Sequence, residues 1–118
     1  MKANELRIGN WVNNNPRDGV ITVFSNDKCV IRHKAGIDRA FIEELEPIPL
    51  TEEWLLKFEF ERNKYALNSF IKNDVIISTD KFIYMSRTKL KYVHQLQNLY
   101  FALTGEELKL KEDESKTD

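Results

Sequence analysis

The sequence predicts an α+β fold, and three observations carry that reading. Tyr92 to Leu103 is the longest clean helical pattern, with Tyr92, Leu96, Leu99 and Leu103 at helical spacing and Val93 and Tyr100 widening the stripe. Upstream lie several short, β-branched-rich runs separated by Asn, Asp and Gly. Between the two halves stands Glu46-Pro47-Ile48-Pro49-Leu50, whose prolines exclude helix and disfavour a central strand. A twelve-residue helix is marginal alone, so its apolar face needs a packing partner, and a sheet is the natural one.

In order, Met1 to Glu5 is a loose lead-in, and Leu6, Ile8, Trp11 and Val12 are the first apolar anchors. Asn13 to Gly19, NNNPRDG, reads as a turn cluster. Val20 to Phe24 and Lys28 to His33 read as strands joined by a tight hairpin at Asn26-Asp27. Ile37 to Leu45 fits either another short strand or a single helical turn. Residues 1–48 are therefore expected to form a small SH3-like, barrel-like antiparallel sheet, by analogy of fold alone.

A short helix is predicted from Thr51, a good N-cap, followed by Glu52 and Glu53 at the positive end of the helix dipole. Leu50 and Leu55 occupy the hydrophobic-staple positions, and Trp54, Leu55 and Phe58 form the buried side. The helix should end near Phe58 to Phe60. Lys64 to Phe70, Asp74 to Ser78 and Lys81 to Ser86 then read as a three-stranded antiparallel meander packed by the two helices, with turns at Asn73-Asp74 and Thr79-Asp80. Gly105 suits the left-handed residue that ends the long helix. Leu108 and Leu110 allow a short final strand, and Lys111 to Asp118 is expected to fray as an acidic tail. One compact domain over 1–118 is expected, with a barrel-like subregion at 1–48, an α+β subregion at 49–110 and the tail at 111–118.

Composition narrows the function classes. The formal net charge is −1, and 42% of the 118 residues are hydrophobic, which argues against global disorder and against an overall nucleic-acid charge signature. No apolar run reaches membrane-span length, and MKANELRIGNWV has no apolar signal-peptide core. With Cys29 alone, no intrachain disulfide can form, and a cytoplasmic setting is the simplest expectation. Lys57 to Lys91 is mildly basic, with eight Lys or Arg against four Asp or Glu; Gly105 to Asp118 is acidic, with three against six.

Three stretches, LRIGNWV, PIPLTEEWLLKF and YVHQLQNLYFALTGEEL, together resemble a family of short, uncharacterised proteins from phages and mobile elements of gut bacteria. The resemblance spans nearly the whole chain in order, and its last stretch is the most specific. The family usually has glycine where this chain has Glu59, a departure at the exit of the first helix. No activity transfers from it. It implies a small accessory protein made in a bacterial host cytoplasm.

Candidate chemistry is sparse. On a helical projection His94, Gln97, Asn98 and Phe101 cluster opposite the leucine stripe. Read functionally, they form a partner-binding face with an aromatic anchor, for another protein or for self-association; read structurally, the helix is covered on two sides. The competing reading is weak nucleic-acid binding by Lys81, Arg87, Lys89 and Lys91, interleaved with Phe82, Tyr84 and Tyr92, since cations neutralise phosphate and aromatics stack on bases. Its plainer counterpart is a solvated sheet edge whose lysines discourage pairing. Cys29 and His33 on one strand lie roughly 13 Å apart, too far for one ion. Neither a metal site, a cofactor nor a catalytic motif is expected, so the chain reads as a non-enzymatic protein-interaction module.

Overall fold

The computed structural model describes residues 1–110. The fold is α+β, with two antiparallel sheets of four and five strands and two helices. Residues group into two units. One comprises Met1–Pro49 with Tyr92–Asn98; the other comprises Leu50–Lys91 with the described residues from Leu99 to Leu110.

In the first unit, β1 (Trp11–Asn14), β2 (Arg17–Ser25), β3 (Lys28–His33) and β4 (Gly36–Phe41) form a meander in sequence order. Most of the expected Asn13–Gly19 turn is in fact strand, since only Asn15-Pro16 turns while Asn13 pairs with Asp18 and Asn14 with Arg17. Ile37 to Leu45 supplies both of its alternatives, β4 and then a 3-10 turn at Ile42–Glu44. The chain then returns to β1, where Asn13 and Glu46 exchange backbone hydrogen bonds of 2.9 Å in each direction. A single bridge is not a strand, and the sheet does not close into a barrel.

Strand alternation explains this unit's core. Val12, Ile21, Cys29 and Ile31 point inward and join Leu6, Ile42 and Leu45. A register irregularity between Ile21 and Val23 shifts the alternation, so Phe24 also packs on the core while Val23 faces out. Gly19 is required by space. A Cβ there would run into Ile31 Cγ2 and stand 2.8 Å from the Arg32 carbonyl oxygen.

The second unit opens with α1 (Glu52–Lys57), whose Thr51 hydroxyl accepts from the Trp54 N–H at 3.4 Å. Trp54, Leu55 and Phe58 are buried. The helix ends in a left-handed residue, Glu59, at φ 68°. Five strands follow as a continuous meander, β5 (Glu61–Arg62), β6 (Ser69–Lys72), β7 (Val75–Ser78), β8 (Ile83–Met85) and β9 (Thr88–Leu90). Three strands were expected. The segment from Lys64 to Asn68 is loop, with Tyr65 96% and Leu67 93% exposed, because alternation there has no packing partner to make it a strand. Asn73 and Asp74 both take positive φ and turn β6 into β7.

Helix α2 (Val93–Thr104) contributes its first half to one unit and its second half to the other. Gly105, at φ 75°, follows it. Leu108 and Leu110 are buried but form no strand. The tail at 111–118 lies outside the described residues.

Candidate interaction surface

The helix face comes first. Gln97 is fully buried, and its amide is spent on the chain leading into β1: Oε1 accepts from the Trp11 N–H and Nε2 donates to the Gly9 carbonyl, each at 2.8 Å. Asn98 Oδ1 accepts from Asn10 Nδ2 at 2.8 Å and from Arg7 Nε at 2.9 Å, while its Nδ2 donates to the Glu5 carbonyl at 3.1 Å. His94 is buried and stacks on Tyr92, with ring centroids 5.9 Å apart. Desolvation pushes its pKa down, partly opposed by Glu5. Phe101 alone is substantially exposed, at 39%.

The expected open face of His94, Gln97, Asn98 and Phe101 is therefore corrected. Segment Glu5–Trp11 lies against the polar side of the helix, and its backbone takes up the amides of Gln97 and Asn98. Polar residues opposite an apolar stripe imply water only when no backbone needs them.

Of the four expected nucleic-acid residues, all exposed, Lys81 sits in the loop before β8, Arg87 in the β8–β9 turn, Lys89 in β9 and Lys91 just beyond it. Lys89 pairs across the sheet with Tyr84, and its Nζ lies 3.6 Å from the centroid of the Phe82 ring. That contact occupies one face of the ring, a face a base would need for stacking.

A different surface stands out on the first unit. Register places Val23, Val30 and Arg39 in one cross-strand row, Ser25, Lys28 and Phe41 in the next, and Val20, Arg32 and Ile37 in a third. All nine belong to the outer face of β2–β4. Ile37 is 63% and Phe41 42% exposed. Along β3 the outward side chains run Lys28, Val30, Arg32; along β4 they run Ile37, Arg39, Phe41. Cations and apolar groups thus form a checkerboard. Lys28 Nζ lies 5.3 Å over the Phe41 ring. Among the described residues, neither Arg32 nor Arg39 has a carboxylate or hydrogen-bond partner. A groove of about 440 Å³ crosses this face, lined by Val23, Lys28, Val30, Arg39, Phe41 and Glu44.

The period-2 alternation in KCVIRH and GIDRAF was the available signal for this face. It was masked because the second segment read equally well as a helical turn. On the opposite face, the Asp38 carboxylate lies 3.1 Å from His33 Nε2 and accepts from Asn14 Nδ2 at 3.3 Å, surroundings that hold its pKa down, while His33 Nδ1 accepts from the Ala35 N–H at 3.1 Å. This network closes the β3–β4 hairpin. Cys29 is buried and desolvation pushes its thiol pKa up, away from a reactive thiolate.

Among the described residues, no three His, Cys, Asp or Glu side chains group as a metal site would need, and no helix is long and apolar enough to cross a membrane. No family model, curated protein or solved structure matches the chain.

Proposed function

We propose that this chain is a non-enzymatic protein-interaction module working through the outer face of β2–β4, and that its partner presents an acidic surface. The observation carrying this reading is the checkerboard of Lys28, Arg32 and Arg39 with Val30, Ile37 and Phe41, in which neither arginine has a counter-charge among the described residues. A cation without an internal partner beside exposed apolar area is available to a complementary surface, and such pairing gives specificity and fast association. Arginine is also among the residue types that dominate binding energy at interfaces, and phenylalanine is enriched in them. The resemblance to small proteins of phages and mobile elements supports a bacterial cytoplasmic setting, with a host protein as partner.

The test is affinity capture from nuclease-treated host lysate by the tagged chain and by a folded Arg32→Glu/Arg39→Glu variant. Acidic proteins retained by the parent and lost from the variant are the expected result. Equal capture by both would remove this face from the reading.

Nucleic-acid binding at Lys81, Arg87, Lys89 and Lys91 is the second reading, favoured by the clustering of Lys89, Phe82 and Tyr84. It requires capture that disappears with nuclease and affinity that falls steeply with salt.

A further inference from the structure

We infer that β4 takes up an extended acidic segment of a partner protein as an added fifth strand of the first sheet. This rests on the interaction-module reading above and specifies how the partner binds.

Among the described residues, β4 is an edge strand, paired only with β3. The phase of its hydrogen bonding is set at its end, where the Ile42 N–H donates to the Asp27 carbonyl at 2.8 Å. In an antiparallel pair, bonded residues alternate with non-bonded ones. Ala40, Asp38 and Gly36 therefore bond back to β3, while the N–H and C=O groups of Ile37, Arg39 and Phe41 point away from it. The Phe41 N–H is taken by Glu44 Oε1 at 3.4 Å, which closes that end. Ile37 and Arg39 are left as an open backbone edge, and their side chains stand on the checkerboard face. Backbone edge and side-chain recognition thus coincide on the same two residues. That combination defines strand addition, in which main-chain bonds give affinity and alternate side chains give specificity.

Charge selects the occupant. A strand laid along β4 places one of its residues opposite Arg39, with Lys28 and Arg32 one strand further in and within about a Debye length, ~10 Å, of it. An acidic, extended segment satisfies all three. A second copy of this chain does not. The antiparallel registers that engage both Ile37 and Arg39 of two copies set Asp38 opposite Asp38 or Arg39 opposite Arg39, and like charges directly opposite destabilise a sheet.

The experiment uses fluorescence anisotropy with a labelled peptide alternating Glu with Val or Thr. Its controls are the same peptide with Lys for Glu, a version N-methylated at every second residue, and a labelled thymine oligonucleotide. The acidic peptide should bind and the lysine peptide should not. N-methylation should weaken binding about tenfold or more, since it removes the donors facing β4. Arg39→Pro removes one outward N–H without breaking a β3 bond and should cost about as much, while Arg39→Lys stays within about threefold. If Arg39→Pro fails to fold, the N-methylated peptide carries the test alone. Equal affinity of methylated and unmethylated peptides would overturn strand addition while leaving the face itself as a binding surface. Insensitivity to Arg32→Glu would overturn the face. Preference for the oligonucleotide would overturn both.

Discussion

The Phe60 N–H donates to the Leu55 carbonyl at 3.0 Å, and Glu59 between them stands at φ 68° to make that bond possible. The Glu59 N–H donates to the Leu56 carbonyl, also at 3.0 Å. The two bonds form a Schellman ending, and Leu55 and Phe60, both buried, supply its hydrophobic contact. Glutamate has a Cβ that disfavours this conformation, which glycine adopts without that penalty. Glu59→Gly is therefore expected to stabilise the fold by about 1 kcal/mol, raising Tm by about 4 °C in a chain of this size. Chemical denaturation at neutral pH checks the sign directly.

Gly19→Ala should do the opposite. The new methyl would press on Ile31 Cγ2 and on the Arg32 carbonyl oxygen, one a buried core atom and the other backbone. Neither can swing aside as a flexible side-chain end would. A loss of about 1–3 kcal/mol is expected, read from the denaturation midpoint with unchanged m-value.

Gln97→Leu tests the assignment of the helix face. It keeps the volume but removes the acceptor for the Trp11 N–H and the donor to the Gly9 carbonyl. An orphaned group costs about 1–3 kcal/mol when buried; Trp11 and Gly9 are half-buried, so the variant should lose about 1–3 kcal/mol of stability in all. The Trp11 amide should also exchange hydrogen faster. A variant of full stability would return Gln97 to the partner-binding role.

His94 makes stability depend on pH. Its folded pKa lies below the ordinary value of 6.5 because burial penalises the charged ring. The unfolded chain therefore binds the proton first. The stabilisation is fully present above pH 6.5 and is lost as pH falls from there toward the folded pKa. The slope in that window is at most about 1.4 kcal/mol per pH unit for one proton. Urea unfolding across the window, with and without His94→Gln, should show the dependence flatten in the variant.

Local signals made much of the fold legible in the sequence. Thr51 caps α1 as its side chain and position require, the hairpin at Asn26-Asp27 joins β2 and β3, and the Tyr92–Leu103 pattern is α2 within one residue at each end. What failed depended on tertiary context. Tyr65 and Leu67 alternate like a strand but nothing packs on them. β9 has one buried residue in three, too little for a periodic signal, and is held by its cross-strand pairing with β8. Gln97 reads as a surface residue until the chain near β1, more than eighty positions away, is found to need its amide. The outer face of β3 and β4 was written in period 2, but six residues of strand next to a 3-10 turn do not separate the two periodicities.

The Gln97 pairing bears on the order of events during synthesis. All four strands of the first sheet are translated before Gln97 and Asn98, whose partners lie 86 to 93 positions earlier in the chain. Closing so long a loop is paid in chain entropy before any contact rewards it. A nascent chain released or cleaved within the second sheet would therefore hold β1–β4 with the Trp11 amide and the Gly9 carbonyl bonded to water in place of Gln97. The helix that finishes the sheet is also its timing mark: the N-terminal strands reach their final stability only after the second sheet has been translated.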